Sequence, residues 1–325
     1  MESNKEISEQ FLAKIKEAEK ILLFPHIQVD GDAAGSSIAL CRAFRAMGKE
    51  AWVFLEEALP AYLRFLDDGF CTTEMPFPEN FDLSLAVDCG DSGRLGRRLS
   101  FFEQGCVRAC MDHHVSNSNF TEFGYIDPES ASCAELVYQV LCRLPAEISA
   151  PIAECIYTGI VTDTGNFQYS NVKASTHRIA AELYDRGLQH ERAIIEIFQN
   201  VRRQKLELKI AVLETMRFFA DGQGVISFVS QALLKKIGAE ANEIDGIVET
   251  MRSIAGVEYA VVLKEQETGV YKATMRSKTK GNVAEIATKF GGGGHIRAAG
   301  CTFECSQEEA AALVCGAIEE QRRTL

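Results

Sequence analysis

Three largely apolar runs of strand length constrain this chain more than anything else in it. Ile21–Phe24, Phe81–Val87 and Cys106–Met111 each end at a loop rich in Asp or His, and helix-like stretches lie between and after them. A strand reads as an unbroken apolar run when both of its faces are covered. Helical patterns span Ala33–Met47, Ser132–Leu144 and Pro151–Val161. This alternation predicts an α/β fold built on a mostly parallel sheet. In such a sheet the carboxyl ends of the strands open onto the ligand crevice.

The length, 325 residues, exceeds one comfortable core and predicts two domains. Residues 1–185 are read as the first, opening on a helix over residues 1–20. Residues 174–219 look helical throughout, and 186–220 are read as a structured bridge because no Pro- or Gly-rich linker interrupts them. From Gly224 the pattern changes. Val225–Val229, Val257–Lys264 and Val270–Met275 read as strands, the last two joined by a Glu-Thr-Gly turn into an antiparallel hairpin. Asn282 with Glu285, and Ser306 with Glu309, mark two helix starts. Residues 221–325 therefore predict a smaller α+β domain.

A net charge of −12 argues against a long nucleic-acid track, which needs a basic stripe to neutralise many phosphates. A small anionic substrate stays open, since carboxylates that hold divalent cations present a positive field. No run reaches the ~18 apolar residues of a membrane span. The N-terminal MESNKEISEQFLAKIKEAEK lacks the basic start and apolar stretch of a signal peptide, so the expected location is the cytoplasm, away from membranes. Eleven cysteines, an odd number with no C-x-x-C pair, read as free thiols of a reducing compartment rather than as a zinc site.

Four segments carry candidate chemistry. FPHIQVDGDAAGSS places His26, Asp30 and Asp32 just after an apolar run. Gly31 would let both carboxylates converge, and the small residues Ala33 to Ser37 would let backbone approach an anion at a helix start. A plain Asp-Gly-Asp turn is the other reading. LAVDCGDSGRLG ends its run at Asp88, with Asp91 able to cap the segment after it. CMDHHVSN ends at Asp112-His113-His114. Adjacent side chains diverge, so one histidine can bind a metal while the other faces substrate, and Asp112 can orient a ring through its second nitrogen. YTGIVTDTGNFQYS contributes Asp163, alternatively the cap of a new helix. Together these give His26, Asp30, Asp32, Asp88, His113 and Asp163 as six candidate ligands. That set suits two divalent ions sharing a carboxylate, manganese first, with magnesium or cobalt as alternatives. Such a pair activates water and steadies in-line displacement at phosphorus.

The order HIQVDGD, AVDCGD, MDHH, TDTGNF resembles the DHH phosphoesterase family, and the C-terminal GGGGHIRAAG resembles the DHH-associated domain that usually accompanies it. Val29 stands where the family usually has proline. The resemblance implies one cation on His26, Asp30 and Asp88, and another on Asp32, Asp88, His113 and Asp163. It further implies His114 facing the scissile phosphate as a catalytic residue with Asp112 behind it. Arg276, Ser277 and Lys278, with Gly292, Gly293, Gly294, His295 and Arg297, would then form a phosphate or nucleotide clamp facing the metals. A helix C-cap followed by a solvated basic loop is the plainer reading of that stretch. The compact length is similar to the branch that hydrolyses short oligoribonucleotides and 3′-phosphoadenosine 5′-phosphate (PAP). A phosphodiesterase for cyclic or linear dinucleotides is the alternative, and a nucleotide-binding sensor without catalysis is the alternative of another class. Partners expected from the resemblance are short oligoribonucleotides or small nucleotide phosphates, and a second copy of the chain, since members are often dimers.

Overall fold

A computed structural model describes residues 7–77 and 80–324, and the chain divides into two compact units between Asn200 and Val201. That division falls inside the stretch 186–220. The helix expected over residues 1–20 is described from residue 7 on, where α1 spans Glu9–Glu17 with Ser8 as its cap; residues 1–6 lie outside the described chain.

The first unit is a six-stranded, wholly parallel sheet of β1 (Lys20–Pro25), β2 (Glu50–Phe54), β3 (Cys71–Thr72), β4 (Leu83–Val87), β5 (Val107–Asp112) and β6 (Phe123–Ile126), in the order β3-β2-β1-β4-β5-β6. Successive residues of its strands face opposite sides. Ile21, Leu23, Leu83, Leu85 and Met111 enter one core with α1, α2 (Gly31–Ala46), α4 (Cys133–Leu141), α5 (Ala150–Asp163) and α6 (Ala174–Asp185). Leu22, Phe24, Ala86 and Cys110 enter a second core on the other side, with Phe102 of the short α3 (Leu99–Phe102). Both faces are covered, which is why the strands read as mostly apolar runs, with Ser84 in β4 and Arg108 in β5 as the interruptions. The strand order reverses at β1 and β4, so their carboxyl ends flank the switch point where a crevice forms.

Two features depart from the sequence reading. The small residues at the start of α2 are buried under α5, and a Cβ on Gly35 would lie 2.3 Å from the Cys155 carbonyl oxygen. They serve close packing of two helices rather than approach to an anion. A Cβ on Gly31 would likewise lie 2.3 Å from Thr162 Cγ2, so its glycine is required by a neighbour. The stretch 174–219 is also not one helical run. After α6, Gly187 takes a left-handed φ of 86°, α7 (His190–Ile194) passes into one π turn, and α8 (Arg203–Glu214) is followed by strand β7 (Arg217–Phe219).

The second unit carries a mixed sheet, β11-β12-β10-β9-β8-β7, with β8 (Gly224–Val229), β9 (Tyr259–Glu267), β10 (Val270–Ser277), β11 (Gly293–His295) and β12 (Ala298–Glu304). Only β8 and β9 pair in parallel. One face packs on α11 (Val283–Lys289) and α12 (Gln307–Arg322), the other on α8, α9 (Gln231–Ile237) and α10 (Ile247–Arg252). Asn282 caps α11 by accepting from Glu285 N, and Ser306 with Glu309 closes both arms of a capping box on α12.

Candidate metal centre

The six candidate ligands come together at the carboxyl ends of β1, β4 and β5 and the end of α5. His26 follows β1, Asp30 caps α2, and Asp88 follows β4. His113 follows β5, and Asp163 is the last residue of α5. Asp163 therefore closes one helix instead of capping a new one. His26 Nε2 lies 3.5 Å from Asp30 Oδ2 and 3.7 Å from Asp88 Oδ2. His113 Nε2 lies 3.5 Å from Asp88 Oδ1, 3.3 Å from Asp163 Oδ2 and 3.8 Å from Asp32 Oδ2. Two atoms that each sit ~2.0–2.2 Å from one cation are about 3–4 Å apart, so these spacings suit a shared ion. Asp88 faces both groups, one oxygen to each.

Each ring is held from behind. His26 Nδ1 donates to the Ile27 carbonyl at 2.6 Å and His113 Nδ1 to the Ser130 carbonyl at 3.3 Å. A carbonyl can only accept, so the proton is fixed on Nδ1 and Nε2 is turned to the carboxylates. Asp32 is wholly buried at the start of α4: Cys133 N and Ala134 N donate to its two oxygens at 2.6 and 2.9 Å, and Ser36 Oγ donates at 3.1 Å. Asp88 has a left-handed φ of 57°, and its buried Oδ1 has no hydrogen-bond donor among the described residues. A strained backbone and an orphaned buried acceptor at one residue are costs that a bound cation offsets.

Electrostatics point the same way. Burial first, then the neighbouring Asp32, Asp30, Asp163 and Asp112, push the Asp88 carboxyl well above its usual range. Burial, with Asp32 and Asp30 beside it, raises Asp163 to about 9. Burial also raises Asp32, although His113 and two amides work against it. Asp30 is the exception: burial opposes its charge, yet the His26 ring and the amides of Ala33 and Asp32 hold it below the usual range. Crowded buried carboxylates of this kind repel one another until a cation sits among them.

His114 is placed differently. Its Nδ1 lies 2.7 Å from Asp112 Oδ1, while Asp112 Oδ2 accepts from Asn117 Nδ2 at 2.6 Å. The hydrogen bond that His114 donates to Asp112 outweighs burial and raises the His114 ring above its usual range. The ring is partly open to solvent and sits with its centroid 4.9 Å from that of His113. Asn117, Ser130 and the first amides of α4 are parts of this site that no motif in the sequence singled out, and Ser36, expected only to let backbone approach an anion, instead uses its hydroxyl on Asp32. Only Asn117, three residues past the histidine pair, left a visible signal.

In the second unit the expected clamp residues are scattered in exposure. Gly291 takes a left-handed φ of 71° at the end of α11, and Gly293, Gly294 and His295 form β11, an exposed outermost strand. Gly292 sits so close to β12 that a Cβ would lie 2.2 Å from the Gly300 carbonyl oxygen. Arg276 donates from Nε to Glu249 at 2.8 Å, and Lys278 Nζ reaches the Ile254 carbonyl. Ser277 is buried with its hydroxyl donating to Gly281 O, so it is not open to a ligand. Arg297 donates to the carbonyls of Gly281 and Thr279.

Residues 20–160 match the DHH family, N-terminal domain, and residues 221–320 match the DHHA1 domain. Over 307 residues the chain is 33% identical to the bifunctional oligoribonuclease and PAP phosphatase NrnA of Thermus thermophilus, covering 93% of this chain and 90% of that protein. The chain belongs to the DHH phosphoesterase family. Another member, the bifunctional oligoribonuclease and PAP phosphatase NrnA of Bacillus subtilis, is 26% identical over 87% of this chain and 89% of its own length. A crystal structure of an exopolyphosphatase-related protein from Bacteroides fragilis superposes with a TM-score of 0.88 at 26% identity, covering 97% of this chain and 96% of that one. This DHH protein thus shares its two-part architecture with its relatives along nearly its whole length. No helix among its described residues is long and apolar enough to cross a membrane.

Proposed function

We propose that the chain is a two-metal hydrolase of short oligoribonucleotides and of PAP. The single observation that carries this reading is Asp88, which turns Oδ2 toward His26 and Oδ1 toward His113. It is the natural carboxylate to be shared by two cations, with His26 and Asp30 on one side and Asp32, His113 and Asp163 on the other. Manganese suits this mix of carboxylate and imidazole, with magnesium or cobalt as substitutes. Two such ions would supply charge neutralisation at the phosphoryl group and an acidified water for in-line attack. His114, held by Asp112, is the protein's own donor to the phosphate or the leaving oxygen. Within the second unit, Arg276, Lys278 and the exposed Gly293, Gly294 and His295 are the side chains and backbone suited to binding a nucleotide phosphate.

Substrate size is set by charge. A chain carrying −12 offers a long strand little basic surface to track along, whereas a short one needs only the site. All eleven thiols are unpaired, which supports work in a reducing compartment such as the cytoplasm. The test compares kcat/KM for 5′-labelled RNAs of two to five nucleotides, PAP and a 20-mer, with manganese and after chelation. The expected result is fast cleavage of the short RNAs and PAP, slow cleavage of the 20-mer, and loss of all turnover with chelator. Equal or faster degradation of the 20-mer sinks the short-substrate reading; turnover that survives chelation sinks the metal reading.

A further inference from the structure

Three of the candidate ligands rest on supports that meet at one side chain, Asn171, four residues past the TDTGNF segment. Asn171 Nδ2 donates to the Ala131 carbonyl at 2.9 Å and to the Asp163 carbonyl at 3.1 Å. Asp163 is itself a candidate ligand. Ala131 lies between Ser130, whose carbonyl holds the His113 ring, and Ser132, the cap of α4. The next two amides, Cys133 N and Ala134 N, hold Asp32. One amide group therefore ties the end of α5 to the loop that orients both His113 and Asp32.

The path of the chain makes this tie necessary. Beyond Asp163 the backbone turns through Gly165, Asn166 and Phe167, all three left-handed, with φ of 56°, 56° and 62°. Consecutive left-handed residues are costly where two of them carry side chains. The turn brings residue 171 back against residues 131 and 163. Two carbonyl oxygens fix the amide orientation, because the reversed amide would point its own oxygen at them. Asn171 Oδ1 is buried with no partner among the described residues, so the donor half of the amide is what this position uses.

We propose that Asn171 is a positioning residue for the Asp32–His113–Asp163 group and sets the affinity for the cation held there, while leaving the His26–Asp30 side untouched. This rests on the two-metal reading above. Both hydrogen bonds of Asn171 go to main-chain carbonyls, so it acts through the backbone of its neighbours. Loss of a supporting hydrogen bond behind a ligand lowers metal affinity ~10–100-fold.

The test is a manganese titration of the full chain followed by electron paramagnetic resonance and calorimetry, for the wild type, Asn171→Ala, Asn171→Asp and Asn171→Ser. The wild type should take up two ions with a spin-coupled signal. Asn171→Ala should keep one tight ion and bind the second ~10–100-fold more weakly. Asn171→Asp fills the same volume but sets oxygen against two carbonyls, so it should be at least as impaired; Asn171→Ser, with one donor, should fall between. If Asn171→Ala does not fold, the serine and aspartate variants carry the same comparison. Two ions bound with wild-type affinity in the variants overturns the proposal, as does equal weakening of both sites. A wild type that never binds a manganese pair overturns the two-metal reading itself.

Discussion

Among single residues, Asp88 and Asp112 make the sharpest contrast, because both are buried carboxylates at strand ends with opposite electrostatics. Asp88 is crowded by like charges and held well above the usual range; burial opposes the charge of Asp112 too, but His114 and Asn117 hold it below. Asp88→Ala should remove both cations, read by metal analysis after dialysis, and with them all turnover. Asp112→Asn should keep both cations and lower kcat ~10–100-fold, as befits a group that orients a ring. Equal damage from the two would show that Asp112 belongs among the ligands. These carboxylates and the histidine pair were legible in the sequence because their side chains announce their chemistry. Ser130, Cys133 and Ala134 were not, since they act through main-chain atoms that any residue type supplies.

For whole elements, the crossing of α2 and α5 matters most to the site, since they carry Asp30 and Asp32 at one start and Asp163 at the other's end. Gly35→Ala would press a methyl onto the Cys155 carbonyl oxygen. Overpacking of this kind costs about 1–3 kcal/mol, so denaturant unfolding should show that loss together with weaker manganese binding. Gly316→Ala, on the exposed side of α12 with open space around it, should stabilise the second unit by about 0.5–1 kcal/mol. The same denaturation experiment reads both, and a destabilised Gly316→Ala would count against this view of α12. Helix starts such as Asn282 and Ser306 were legible because a cap is a local device of three or four residues. Strands β2 and β6 were not: Ala51-Trp-Val-Phe and Phe123-Gly-Tyr-Ile give only four residues each, the second with a glycine inside, and only neighbouring strands make them part of the sheet. The small residues of α2 were legible as a feature and misread in purpose, since helix packing and anion approach call for the same side chains.

Across the molecule, each unit has its own cores, so changes in one should leave the other's chemistry intact. His295→Ala or Arg276→Ala should raise KM for short RNA and PAP while the manganese content stays at the wild-type value. Loss of metal in His295→Ala would move that residue into the metal centre. The main-chain supports of the first unit have a consequence for descent. Carbonyls of Ile27 and Ser130 and amides of Cys133 and Ala134 hold three of the candidate ligands. Mutation at those four positions keeps the bonds that matter so long as the new side chain fits, and the fit is narrow at the fully buried Cys133 and Ala134. Lineages carrying this centre are therefore held at those positions by packing volume rather than by side-chain chemistry, and Asn117 and Asn171 are places where the chemistry itself should hold drift back.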